Sequence, residues 1–178
     1  MEEQLVAAFL REAEAVGANT VRVSRDEIAE TLLGLLRHDQ SVVAAAGLEG
    51  IVEELQRRGV KVISEERGGK AANVLTTADA GLGQALAGVA TSGTIVIGPG
   101  SGIEGLISTL PPHYVALLPA GVIQPDLAAA LALMAPLIGG PGSRVAFVTG
   151  PSRTSDIELT PVIGVHGPMR LDIVVVDE

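Results

Sequence analysis

The sequence predicts an α/β domain with a mainly parallel sheet and helices on both of its faces. Segments of helical periodicity alternate with short β-branched runs, which implies crossover connections between neighbouring strands. Hydrophobic residues make up 47% of the 178 positions, enough to fill a sizeable core. A chain of this length suits one domain, 1–178, with an N-terminal helical region over 1–39 and a core over 40–176.

Each element has its own signal. Leu5, Val6, Phe9, Leu10 and Ala13 recur at helical spacing, so 2–16 reads as an amphipathic helix closed by Gly17. Thr20 to Val23 is a β-branched run. Ser24 and Glu27 spell a capping box that opens a helix through Leu36. Ser41 to Ala45 reads as a strand, and Leu48, Ile51, Val52 and Leu55 mark a helix closed by Gly59. Val60 to Ile63 is the next strand, followed by a polar loop over 64–73. Val74 to Thr77 and Thr94 to Gly98 read as strands, with a short alanine-rich helical segment between them. Tyr114 to Leu118 is a buried strand, and Pro125 opens a helix to about Ile138. Strands Arg144 to Thr149 and Leu171 to Val176 complete the chain.

Composition excludes several classes of function. The formal charge is −9, from 21 acidic and 12 basic residues. Such a surface repels phosphate backbones, and three aromatics (Phe9, Tyr114, Phe147) offer no stacking platform, so no nucleic acid is expected as a partner. There is no cysteine, hence no thiolate for zinc or for an iron–sulfur cluster. His38, His113 and His166 lack metal-ligand spacing, so neither a metal nor a cofactor is evident on this chain. No basic leader opens the sequence and no apolar run reaches the roughly 20 residues that span a bilayer. A cytoplasmic protein without membrane contact is the expectation.

Ligands of parallel sheets bind beyond the carboxyl ends of the strands, which directs attention to the segments just after residues 63, 98, 118 and 149. Gly100, Gly102 and Gly105 match G-x-G-x-x-G, but Pro111-Pro112 cuts the following helix short. The next strand ends in Leu118-Pro119-Ala120-Gly121 without the acid that holds a ribose, so a glycine loop beside a ligand mouth is the better reading. More informative is 149–158, where Gly150, Ser152, Arg153, Thr154 and Glu158 concentrate polar groups at an expected strand-to-helix turn. Backbone N–H groups there form an anion site, and Arg153 adds a bidentate grip on a carboxylate. Against this stands a structural reading, with Ser155 and Glu158 as a second capping box and Arg153 paired with Asp156. His166 lies between glycines in GVHGP (164–168) and suits proton transfer near neutral pH. Thr91, Ser92 and Thr94 offer hydroxyls and N–H groups to a ligand, while His113 at a strand start reads as structural.

Together ATSGTIVIG (90–98), STLPPHYVALL (108–118), TGPSRTSDIE (149–158) and GVHGP (164–168), in this order, resemble the LUD-domain family of lactate utilisation, in its lactate utilization protein C type. The resemblance covers roughly 40–176. It implies a fold like that of ribose-5-phosphate isomerase, the CoA transferases and formyltetrahydrofolate cyclo-ligase. It also implies a part in oxidising L-lactate to pyruvate beside iron–sulfur partner proteins, which would carry the clusters this chain has no cysteines to bind. Ser92 stands where members often carry an acid, and Ile103 to Leu106 supplies no arginine ahead of STLPP. The site this suggests pairs His166 as base with Asp156 as its orienting group, while Arg153 and the N–H groups after Gly150 hold a small carboxylate substrate. A non-catalytic assembly or regulatory subunit, and an independent enzyme on a phosphorylated sugar or acyl-CoA, are the alternatives.

Overall fold

The computed structural model of the chain describes residues 2–64, 75, 77–98, 103–137, 144–155, 161–163 and 167–177. Helices α1 (Glu2–Ala15), α2 (Ile28–Leu35), α3 (Glu49–Arg57), α4 (Ile103–Ile107) and α5 (Leu127–Met134) lie among strands β1 (Asn19–Val23), β2 (Val42–Ala44), β3 (Val62–Ser64), β4 (Ala80–Gln84), β5 (Ala87–Val89), β6 (Thr94–Ile97), β7 (His113–Pro119), β8 (Ile123–Gln124), β9 (Ala146–Val148), β10 (Arg153–Ser155), β11 (Pro161–Ile163) and β12 (Arg170–Val176). Six strands form a fully parallel sheet in the order β1-β12-β7-β4-β2-β3. A second sheet, β8-β5-β6-β9, is mostly antiparallel, and β10 and β11 make a hairpin.

Strand alternation sorts the core into layers. In β7 and β12 the side chains of Tyr114, Ala116, Leu118, Leu171, Ile173 and Val175 face α1 and the second sheet, packing with Phe9 and Ile95. Val115, Leu117, Val174 and Val176 face the other way, onto Leu32 of α2 and Val52 and Leu55 of α3. The outer side of the second sheet packs through Val89 and Val96 on Ala130 and Met134 of α5. The expected parallel α/β fold is therefore present, with one addition. Among the described residues, one face of the main sheet is covered by α2 and α3, and the other by α1, α4 and a second sheet.

Four expected elements differ. Within the strand expected from Val74 to Thr77, Leu75 is helical and Thr77 lies in a turn, while 74 and 76 lie outside the described residues. The alanine-rich stretch before Thr94 contains β4 and β5 rather than a helix. A Cβ on Gly81 would collide with the Ile107 carbonyl, and one on Gly83 with the Tyr114 hydroxyl. Glycine there lets α4 and Tyr114 approach a central strand, and that packing overrides the helical propensity of alanine. The expected capping box forms, with the Ser24 N–H (2.9 Å) and hydroxyl (2.7 Å) both donating to Glu27 Oε2, but it opens a 3₁₀ turn (Arg25–Glu27) before α2. The helix expected from Pro125 to about Ile138 starts after Asp126, whose carboxylate accepts the Ala129 N–H at 2.8 Å, and gives way at Ala135 to a 3₁₀ turn. The helix α4, which contains Gly105 of the glycine motif, has five residues, too short for a dinucleotide fingerprint.

Candidate functional site

Antiparallel pairing of β6 with β9 sets Ile95 opposite Val148, and one step further brings Thr94 to Thr149. Their hydroxyls are 2.8 Å apart, and Ser92 Oγ lies 2.7 Å from Thr94 Oγ1. Three hydroxyls thus form a chain from half-buried Ser92 through buried Thr94 to exposed Thr149. Two links use two of its three protons, which leaves one O–H to donate outside the chain.

The C-terminal end of α1 gathers the neighbouring segments. Gly93 (φ +61°) sits against the backbone of Glu12 and Ala13, and Gly150 (φ +70°) against the Val16 carbonyl. At both positions a side chain would be strained in φ and would strike α1. Glycine at position 17 lets the Arg153 guanidinium lie over the end of the helix. There the negative end of the α1 dipole attracts the cation, which takes up part of the charge Arg153 would offer an anion. The Ser152 N–H donates to the Pro168 carbonyl at 2.9 Å, and Gly167 packs on the Ser152 side chain. The fold thus unites Ser92, Thr94, Gly150, Ser152 and Arg153 with the GP of GVHGP. Thr91 is exposed on the same turn. His166, Asp156 and Glu158 lie outside the described residues.

Two expectations about this region are corrected. Arg153 to Ser155 form a strand paired with Pro161–Ile163, so the turn leads to a hairpin and Thr154 is paired to Val162. β-branched Thr154, Val162 and Ile163 favour extended backbone, and Pro161 is tolerated at the first position of an edge strand. Among the described residues, no helix N-terminus follows Gly150 to form an anion cradle. The location also differs. Pro168 leads into the start of β12, and Met169 N–H donates to the Pro112 carbonyl just before β7. The cluster thus lies at the amino edge of the parallel sheet, because β9 belongs to the second sheet and runs the opposite way to β6.

The same edge carries a network that the sequence did not reveal. His113 Nδ1 lies 2.8 Å from Asp39 Oδ2, and Nε2 lies 2.9 Å from Asp172 Oδ2. Asp172, whose side chain is 1% exposed, also accepts from Arg170 Nη2 (2.6 Å) and Asn19 Nδ2 (2.7 Å). Burial pushes its carboxyl up, but the hydrogen bonds from His113, Asn19 and Arg170 outweigh that and hold it below the ordinary range. Both ring nitrogens of His113 are thus engaged by carboxylates. With both nitrogens engaged by neighbouring elements, His113 ties β7, β12 and the loop after α2 together, a structural role. Among the described residues no group of His, Asp or Glu is arranged to hold a metal ion. Nor is any helix of the described residues long and apolar enough to cross a membrane.

The carboxyl edge of the sheet holds two clefts that meet at Gln84. One, of about 260 Å³, is lined by Arg25, Leu48, Ile51, Leu117 and Val176. The other, of about 220 Å³, is lined by Ala45, Gly83, Ile97, Ile107 and Tyr114. Hence the strand-end rule and the polar segments point to opposite edges of one sheet.

The family model of the LUD domain matches residues 6–176. The chain belongs to the LUD domain family. Among LUD domain relatives, lactate utilization protein C of Halalkalibacterium halodurans is 34% identical over 133 residues, 72% of this chain and 57% of the relative. Lactate utilization protein C of Macrococcus caseolyticus is 26% identical over 184 residues, 99% of this chain and 80% of that protein. A solved structure of a DUF162 family protein from Deinococcus radiodurans superposes with a TM-score of 0.77 at 20% identity, covering 99% of this chain and 98% of that one. That likeness establishes the fold.

Proposed function

We propose that this LUD domain protein serves L-lactate utilisation and takes part in oxidising lactate to pyruvate with iron–sulfur partner proteins. The observation that carries the reading is the match across 6–176 together with relatives named lactate utilization protein C. The reaction removes two electrons and two protons from the hydroxyl-bearing carbon and its oxygen. A cysteine-free chain offers no thiolate for a cluster, so the two electrons would be taken up by clusters on the partners, and the proton from the hydroxyl-bearing carbon would leave to the partner side. The substrate carboxylate is held at the amino edge by Arg153, with hydrogen bonds from Thr149 and the chain behind it. His166, bonded directly to the Gly167 that packs on Ser152, takes the hydroxyl proton, and Asp156 orients it.

Lactate oxidation measured with the partner proteins and an electron-accepting dye tests both levels of this reading. Full turnover without the chain would overturn its membership of the system. Turnover that requires the chain but is unchanged in Arg153→Ala and His166→Ala would overturn the substrate site and leave an assembly subunit. The expected result is a rise in KM of about tenfold or more for Arg153→Ala, from loss of a charge-assisted contact. For His166→Ala a fall in kcat of about 10²-fold is expected.

A further inference from the structure

Helix α5 lacks the polar outer face that a surface helix normally presents to water. Its sequence is LAAALALM, and no Asp, Glu, Lys or Arg occurs from 127 to 143. Ala130 and Met134 face the core, whereas Leu127, Leu131, Leu133 and Leu137 are 42–51% exposed. Exposed Ala128, Ala132 and Ala135 form the outer crest between the leucine flanks. Beside the helix, Phe147 pairs with Val96, which packs under α5, so both point to this outer side of the second sheet. Phe147 is 39% exposed, whereas the other two aromatics, Phe9 and Tyr114, are buried.

We propose that this face binds the same face of a second copy of the chain, α5 against α5 across a two-fold axis. Two arguments select this occupant. A chain of net charge −9 repels its own copy, and this exposed helical face is one on which two copies can meet without like charges opposed. The alanine crest lets two helix backbones approach closely while each crest settles between the other's leucine flanks, a self-complementary shape that an isologous interface requires. The exposed leucines and Phe147 amount to on the order of 400 Å² of apolar surface, the size of the largest patch on a typical monomer, which is often functional. Two such faces with their alanines would bury about 1,000 Å², the lower limit of specific association, which fits a weak, concentration-dependent dimer. This inference is independent of the lactate reading.

Sedimentation velocity of the full chain from about 1 to 100 µM should show a concentration-dependent dimer, weakened at least about tenfold in Leu131→Glu with an unchanged circular dichroism spectrum. Because the chain has no cysteine, Ala132→Cys provides a single probe. Oxidation of that variant should yield a cross-linked dimer. A monomer throughout the concentration range overturns the proposal. A dimer that persists in Leu131→Glu and gives no cross-link through position 132 also overturns it, since association then uses another face.

Discussion

Thr94 and Thr149 lie 55 positions apart in sequence and share a 2.8 Å hydrogen bond between their hydroxyls. The contact joins the turn that carries Ser92 to the segment that carries Arg153, and it exists because β6 and β9 pair antiparallel.

Thr149→Val keeps the β-branched shape and removes the exposed end of the hydroxyl chain. Loss of one hydrogen bond costs about 1 kcal/mol, a fall of roughly 2–4 °C in thermal midpoint for a domain of this size. If Thr149 touches substrate as proposed, kcat/KM for lactate falls by about tenfold or more, beyond what that stability change accounts for. Equal kcat/KM with the small thermal shift would confine Thr149 to structure.

Arg153 is tested by ligand-induced stabilisation. L-Lactate or pyruvate held at 100 times its dissociation constant should stabilise the chain by about 2.7 kcal/mol. That corresponds to roughly 5–10 °C in midpoint and should vanish in Arg153→Ala. A full shift retained in Arg153→Ala would place the carboxylate elsewhere, and the cleft at Gln84 would be the next place to examine.

Asp172 predicts acid sensitivity with a definite sign. Its carboxyl is held below the ordinary range in the folded chain, so the unfolded chain binds the proton more readily. Its contribution is complete above the unfolded carboxylate pKa of about 4 and is lost as pH falls through the lower folded value. Asp172→Asn should flatten this acid limb and, by leaving His113 and Arg170 without their carboxylate, cost about 3 kcal/mol at pH 7. Denaturant unfolding from pH 7 to pH 3 reads both effects. An unchanged acid limb in the variant would show that other carboxylates set it.

Gly93→Ala should destabilise through two causes at once, since φ is +61° and the added Cβ meets the backbone of Ala13. A cost of about 3 kcal/mol, or roughly 6–12 °C, is expected. Gly105→Ala is the control, since nothing lies within 4 Å of its Cβ position. Equal midpoints for the two variants would mean that α1 yields to the added methyl.

Much of the fold was legible because its signals are local. The period of Val6, Phe9 and Ala13 marks the buried stripe of α1, and the β-branched run in 171–176 marks β12. The glycines of β4 carried no such signal. Their reason is the neighbouring Ile107 carbonyl and the Tyr114 hydroxyl, which only the folded chain brings near. Likewise His113 gave no sign of its partners, because Asp39 and Asp172 reach it from other elements.

The sequence by itself determined the layered α/β class, the absence of thiolate ligands, the acidic surface and the polar segments that carry the family likeness. Tertiary structure alone decided where those segments lie. Hydrophobic period and turn chemistry are written within about ten residues, whereas strand pairing joins residues far apart and depends on which faces can be buried together. By sending β9 into a second sheet, the fold carried Thr149, Gly150 and Arg153 to the amino edge and left the clefts at the opposite one.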